Sequence, residues 1–440
     1  MKSDERNTRL HLLFMAAVLV AVLLRWLYVT TLPDAVIWSD EREYLRLSQS
    51  LVRGEGFVTP QQRPTADRAI GYPFWLALIA RVRLDSPTAV RLAQVVLSVA
   101  CLLLMYGIAR QLGDDRRALV ALWFGALYPY FIYMAGAVLP TTLFRFLLLA
   151  AVWLLIAAAR QQRTATLFAG GALFGLAILT VPSGLVLVCI AGFWLYVSEK
   201  VAWHRMAWLF AGCLVVVSPW LMRNYYQLGV WQVATSGGYN FWLGNNPAAQ
   251  IELPGSIVMP GDMQKRLQAL QDEKEISRLY QTEAMAFIEQ KPAAALWRTF
   301  KKAILFWRLD PSPATQSYVR QDSVVRWLGI VCFSLLLFMA VLGSVTMPPA
   351  AKGARTLWLL FGLAFTLVHA VTIVKVRFRL PLDHFILVLA AFGLVWLGEY
   401  AFSWRRWPRA KLAWQANSLD FASDADWSQW SIERKGIVER

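Results

Sequence analysis

The chain has 440 residues; 58% are hydrophobic, only 16% are charged, and the net charge is +16. Soluble domains run nearer half apolar and a quarter charged, so the composition excludes an ordinary water-soluble protein. In a membrane protein the positive excess is first divided between the two faces, and no nucleic-acid partner is expected. Cys101, Cys189, Cys213 and Cys332 lie in apolar runs without CxxC spacing, which reads as small core hydrophobes.

Ten runs are long enough to cross a bilayer as helices: 10–32, 87–109, 118–136, 138–158, 165–181, 183–198, 206–222, 325–346, 356–374 and 380–402. The first is longer than a signal-peptide core and lacks a small-residue cleavage site, so it reads as a retained helix. Gly71 to Val82 is apolar but too short to span, which suits a re-entrant or interfacial segment. Leu296 to Trp307 mixes Trp and Phe with Arg298, Lys301 and Lys302, the pattern of an interfacial amphipathic helix. Asp262 to Gln290 carries apolar residues at helical spacing. The expected fold class is therefore all-α and polytopic, with a membrane domain over 1–402 and a cytoplasmic, partly unordered tail over 403–440.

Orientation follows from the short basic loops. Lys2, Arg6 and Arg9 precede the first run; Arg110, Arg116, Arg117, Arg160, Arg163, Lys200, Arg205, Lys352, Arg355 and Arg405 fall on the same side when the N-terminus is inside. The long segments 33–86 and 223–324 are then outside. There is no internal repeat, P-loop or GxGxxG, which argues against an ATP-driven pump or a nucleotide-cofactor enzyme.

Three outer stretches carry candidate chemistry. Trp38-Ser39-Asp40-Glu41-Arg42-Glu43-Tyr44 places acids just beyond the first helix. Asp40 can act there as a general base, or as a ligand of a divalent cation together with Asp67. The same residues also suit an acidic helix start. Asp67-Arg68 precedes the Ile70-Gly71-Tyr72-Pro73 apolar segment, and Arg68 either grips a phosphate bidentately or snorkels to lipid headgroups. Lys375-Val376-Arg377-Phe378-Arg379 puts three cations on the side the positive-inside rule disfavours, and a bound anion would account for them. Arg223, at the outer end of run 206–222, has the same character, so Arg68, Arg223, Arg377 and Arg379 are expected to converge on a lipid-linked phosphate. Ser236 to Pro247, rich in Gly, Asn and aromatics, offers sugar-binding groups, although it also fits a tight turn. The histidines have no ligand spacing; His384 alone lies near the outer basic turn.

The run Ser218 to Pro247, with Ser39-Asp40-Glu41 and Tyr44, with Arg68 to Pro73, and with Arg377 to Asp383, resembles the polyprenyl-phosphate-sugar transferases of the GT-C fold. That family includes the protein O-mannosyltransferases and the lipid A aminoarabinose transferase. The resemblance covers residues 10–400. It implies a multi-pass enzyme of the bacterial inner membrane, with its active site on the periplasmic face. It also implies transfer of a hexosyl or pentosyl group from a polyprenyl-phosphate-linked donor to a lipid, glycan or protein acceptor. Asp40 maps onto the family's first-loop aspartate, Asp67 onto its second acid and Arg68 onto its phosphate-binding base. Glu41, Tyr44, Tyr72, Arg223, Asn224, Tyr239, Asn240, Asn245, Arg377 and Arg379 are the expected substrate-binding residues. A divalent metal ion at Asp40 and Asp67 is the one cofactor envisaged. Pro140-Thr141-Thr142 lacks a Glu, and Thr180-Val181-Pro182 an Arg, that relatives often carry. The rival expectations are a transporter or flippase of lipid-linked sugars, and a non-catalytic relative.

Overall fold

A computed structural model of the chain describes residues 2–82, 86–161, 163–251, 259–309 and 323–420. Among these it forms α-helices and two short 3-10 turns, with no strand beyond an isolated bridge between Val58 and Pro64. The chain divides into two compact units, Met1–Gly393 and Leu394–Arg440.

In chain order the helices are α1 (Lys2–Thr30), α2 (Ser39–Val52), α3 (Gly71–Ala80), α4 (Pro87–Leu112), α5 (Asp115–Leu127), α6 (Pro129–Ala135), α7 (Thr141–Gln161), α8 (Thr164–Thr180) and α9 (Leu185–Val197). They continue as α10 (Trp203–Leu228), α11 (Gly237–Gly244), α12 (Gly261–Ala269), α13 (Glu273–Gln290), α14 (Pro292–Phe306), α15 (Ser323–Thr346), α16 (Lys352–Val371) and α17 (Val376–Asp420). Seven of them are long and apolar enough to cross a membrane: α1, α4, α7, α10, α15, α16 and α17. The chain is thus an all-α polytopic membrane protein.

The expected run 118–136 is not one straight helix. It breaks between α5 and α6 with a bend of 57°. The cause is local: Pro129 lacks an amide hydrogen and pushes the preceding residue out of the helical region, and Tyr128 sits at φ −68°, ψ 114°. The run 165–181 gives the 17-residue α8, and 183–198 falls on a short turn followed by the 13-residue α9. A methyl group on Gly171 would overlap the carbonyl of Leu209, and one on Gly212 the carbonyl of Phe168, so α8 and α10 meet backbone to backbone. Gly229, at φ +63°, ends α10 in the left-handed conformation that a side chain resists.

Asp262 to Gln290 forms two helices, α12 and α13, because the chain turns extended at Leu270 before Asp272 caps α13. The amphipathic stretch at 296–307 forms α14, whose Leu296, Trp297, Phe300 and Ile304 stay exposed. Helix α17 runs past the expected tail boundary at 403 and ends at Asp420, while residues 421–440 of that tail lie outside the described residues.

Candidate active site

The site begins with how the first outer loop is pinned. Glu41 is fully buried, and its carboxylate accepts backbone N–H groups from Ile37 at 2.8 Å, Trp38 at 3.3 Å and Val138 at 2.7 Å. Arg91 on α4, also fully buried, donates to the carbonyls of Pro33, Ala35 and Gly136 and lies 3.8 Å from Glu41. Each group satisfies backbone that would otherwise be buried unpaired. Together they tie the start of α2 to the turn between α6 and α7. Asp40, one residue before Glu41, is thereby aimed the other way.

Asp40 meets two guanidinium groups from distant segments. Arg68 Nη2 lies 3.2 Å from Oδ1, and Arg377 Nη2, at the start of α17, lies 2.9 Å from Oδ2. Burial pushes the Asp40 carboxyl up, but Arg377, Arg68 and Lys375 outweigh it and hold the group below the usual aspartate range. Asp67 responds in the opposite direction. Desolvation raises its carboxyl, with Glu43 and Asp40 adding to the rise, against the opposing charge of Arg68 at 3.5 Å. The acid that stands beside an arginine in sequence is therefore the more basic of the two.

The strap carrying Asp67 and Arg68 is itself clamped. Glu273, in the first turn of α13, accepts from Ala66 N at 3.0 Å, from Thr65 Oγ1 at 3.3 Å and from the Thr235 hydroxyl. Behind it, Arg223 donates to the carbonyls of Thr65 at 2.7 Å and Phe57 at 2.8 Å and stacks on Trp220.

Beside Asp40 opens a cavity of about 560 Å³. Its polar wall is Asp40, Arg68, Arg308, Lys375 and Arg377, with Tyr44, Ser236, Tyr239 and Asn240 nearby; its apolar wall includes Phe144, Val181, Leu243, Phe365 and Ile373. The contributing connections are the α1–α2 loop, the strap before α3, the turns α6–α7, α8–α9 and α16–α17, and the segment around α11. Four buried donors on lining residues have no hydrogen-bond partner among the described residues: Trp38 Nε1, Arg68 Nε, Ser183 Oγ and Arg377 Nη1, of which Arg68 Nε has only the ion-pair contact with Asp67. Unpaired buried donors are costly, and a ligand rich in acceptor oxygens would relieve them.

The expected site residues separate into two groups. Asp40, Tyr44, Arg68, Tyr239, Asn240 and Arg377 line the cavity, and Asp67 touches Arg68 without lining it. The others are engaged elsewhere. Glu41 is spent on backbone, and Tyr72 is buried and donates to Gln94. Asn224 is buried and donates to Gln232 O, and Asn245 to Phe241 O and Val371 O. Arg379 is buried against Asp383 at 3.1 Å and donates to Arg308 O. The expected convergence of four arginines is thus corrected to two, because Arg223 and Arg379 are held by carbonyls and by Asp383. His384 is buried next to Arg145, and the histidine on the cavity wall is His369. Sequence reasoning marked Lys375 among three outer cations but left it out of the expected site, and it missed Arg308 and Glu273, which no local pattern marks. The turns that lack the relatives' Glu and Arg, at Pro140-Thr141 and Thr180-Val181-Pro182, form part of the cavity wall.

A divalent cation does not fit this arrangement. Both Asp40 oxygens face guanidinium groups, the lining holds four cations, and among the described residues no group of three His, Cys, Asp or Glu could hold a metal.

The architecture is that of the GT-C fold. Against the archaeal oligosaccharyltransferase AglB from Archaeoglobus fulgidus, in complex with an inhibitory peptide and a dolichol-phosphate, the TM-score is 0.53 at 11% identity over 92% of this chain and 52% of that one. The apo form of the Archaeoglobus fulgidus enzyme gives 0.52 at 13% identity over 90% and 52%. This chain thus spans about half the length of those proteins, and the likeness is one of fold. ArnT from Cupriavidus metallidurans, bound to undecaprenyl phosphate, aligns at 0.42 and 13% identity over 90% of this chain and 79% of its own. More particularly, residues 67–222 match the family described as dolichyl-phosphate-mannose-protein mannosyltransferase. That stretch includes Arg68 and the α6–α7 and α8–α9 turns of the cavity wall. No curated protein matches the sequence.

Proposed function

We propose that the chain is a membrane glycosyltransferase that moves a sugar from a polyprenyl-phosphate carrier to an acceptor on the extracytoplasmic face. The observation that carries this reading is the cavity itself: a carboxylate and two arginines with unpaired donors at one side, and an apolar wall of Phe144, Phe365, Leu243 and Ile373 at the other. A phosphate satisfies the first, and a prenyl tail the second. The GT-C architecture and the family match at 67–222 support the same class of substrate, and one neighbour of like fold holds a dolichol-phosphate. The basic connections between the spans favour an outer position for the cavity.

In this reading Arg68 and Arg377 hold the phosphate, and Tyr239 and Asn240 face the sugar. The incoming phosphate competes with Asp40 for both guanidinium groups. Its negative charge also raises the Asp40 carboxyl toward a useful basicity. Asp40 then removes the acceptor proton as the acceptor attacks the anomeric carbon, and the phosphate leaves from the opposite side. A single displacement of this kind inverts the anomeric centre. The test is an assay of the purified full chain with labelled polyprenyl-phosphate sugars. Label must pass to an acceptor fraction, and a chain that leaves every such donor intact is not this enzyme.

A further inference from the structure

We propose that Lys375 takes up the second negative charge that the carrier phosphate acquires as it leaves; the assignment rests on the transferase reading above. In that reaction the acceptor oxygen forms a bond to the anomeric carbon and its proton passes to a carboxylate. The bond between that carbon and the phosphate oxygen breaks, and its electron pair stays on the oxygen. A phosphodiester with one negative charge thus becomes a monoester, which carries close to two near neutral pH. The demand for cations rises by one during the reaction.

The cavity holds the cation to meet it. Arg68 and Arg377 already share the Asp40 carboxylate at 3.2 and 2.9 Å. Lys375 lines the same cavity from the turn between α16 and α17, two residues before Arg377, half-buried. Among the described residues its ammonium makes no hydrogen bond or ion pair, only its backbone carbonyl accepting from Phe378 N, so, unlike the guanidinium groups of Arg68 and Arg377, it is uncommitted before the ligand arrives. An arginine already bound to a carboxylate gains less from a newly formed charge than a free ammonium does. Only an interaction that strengthens along the reaction accelerates it.

The surroundings agree. Desolvation, then Arg377 on α17 and Arg68 on the strap, push the Lys375 ammonium down to about 8, with Asp40 on α2 opposing them. Tyr44 on α2, His369 on α16, Tyr239 on α11 and Arg308 after α14 complete the titratable and charged wall. A dianion placed among these groups restores the proton to Lys375, whereas a monoanion does so less.

Affinities of the purified full chain for farnesyl monophosphate and for its methyl phosphodiester, measured by calorimetry in detergent at pH 7 and pH 9, test this. The wild-type chain should prefer the monoester, and the preference should shrink as pH rises through about 8. Lys375→Met should weaken monoester binding by about 10- to 100-fold and diester binding by about threefold or less. Lys375→Arg should keep the monoester preference and remove its decline at pH 9. Equal weakening of both esters by Lys375→Met, or no weakening, overturns the assignment while leaving the transferase reading standing. Binding of neither ester by the wild-type chain overturns both. If Lys375→Met does not fold, the Arg variant decides alone: a decline at pH 9 as large as in wild type overturns the assignment.

Discussion

At the scale of single residues, the division of labour between Asp40 and Asp67 is an experimental question with a sign. The acid limb of kcat/KM reports the essential base in the free enzyme. Asp40 is held below the ordinary aspartate value of about 3.9, so activity limited by Asp40 persists as pH falls through that value. Asp67 is held above it, so a base at Asp67 gives a limb on the higher side. The low limb is expected. Asp40→Asn should lower turnover by roughly 10² to 10⁴, while Asp67→Asn should stay within about tenfold. Arg377→Ala should weaken the phosphodiester by about 1.5–3 kcal/mol in a binding titration, with folded yield little changed. Glu41→Gln belongs to another category. A carboxylate that accepts three backbone N–H groups cannot be replaced by an amide that brings two donors of its own. The expected effect is a loss of about 1–3 kcal/mol in thermal or denaturant stability, with kcat per folded molecule nearly unchanged. The sequence made Asp40 a candidate from its place beyond the first helix. It was silent on the ion pair with Arg377, which joins positions 337 apart.

At the scale of elements, the site depends on a strap that has little structure of its own. Residues 57–70 carry one short bridge, Val58 to Pro64, and are otherwise held by Arg223 from α10 and by Glu273 from α13. Helix α13 was legible from its apolar spacing, but its first-turn acid looked like an ordinary helix-start residue, because the partners at 65–66 lie 207 and 208 positions away. Desolvation raises the Glu273 carboxyl despite its hydrogen bonds from Thr235 and Ala66. An acid whose folded pKa is raised favours the fold while protonated, and that advantage fades as pH climbs through the folded value. A neutral side chain of the same shape is therefore the milder change. Glu273→Ala should cost about 1–3 kcal/mol of stability and lower kcat/KM by loosening Arg68, and Glu273→Gln should cost less on both measures. Nearby, a methyl group on Gly71 would come within 2.7 Å of Leu179 O and Thr180 Oγ1. The larger Gly71→Val should shift α3 off α8 at a cost of roughly 1–3 kcal/mol, read as a fall in melting temperature. Apolar run length located ten stretches that fall on helices, but only seven helices, or eight with the bent pair α5–α6, are long and apolar enough to cross, because α8 and α9 fall short. It missed the break at Tyr128–Pro129, since a run of apolar residues looks the same on either side of a bend.

At the scale of the whole molecule, the connections that build the cavity alternate along the chain. They follow α1, α6, α8, α10 and α16, and the basic loops fall between them. In the topology read from charge these connections share the outer side, and that topology is open to a direct test. Reporters fused after Glu199 and after Lys411 should read cytoplasmic, and one at Gly261 external. A cytoplasmic reading at Gly261 would place the cavity on the other face. The measurement that tests the central claim most directly uses proteoliposomes with the cavity face outward, supplied with a sugar-labelled polyprenyl phosphate. The wild-type chain should move label from the carrier to an acceptor, and Asp40→Asn should bind the carrier and release label roughly 10² to 10⁴ times more slowly. Label that stays on the carrier, or that crosses the bilayer still attached to it, would contradict the account.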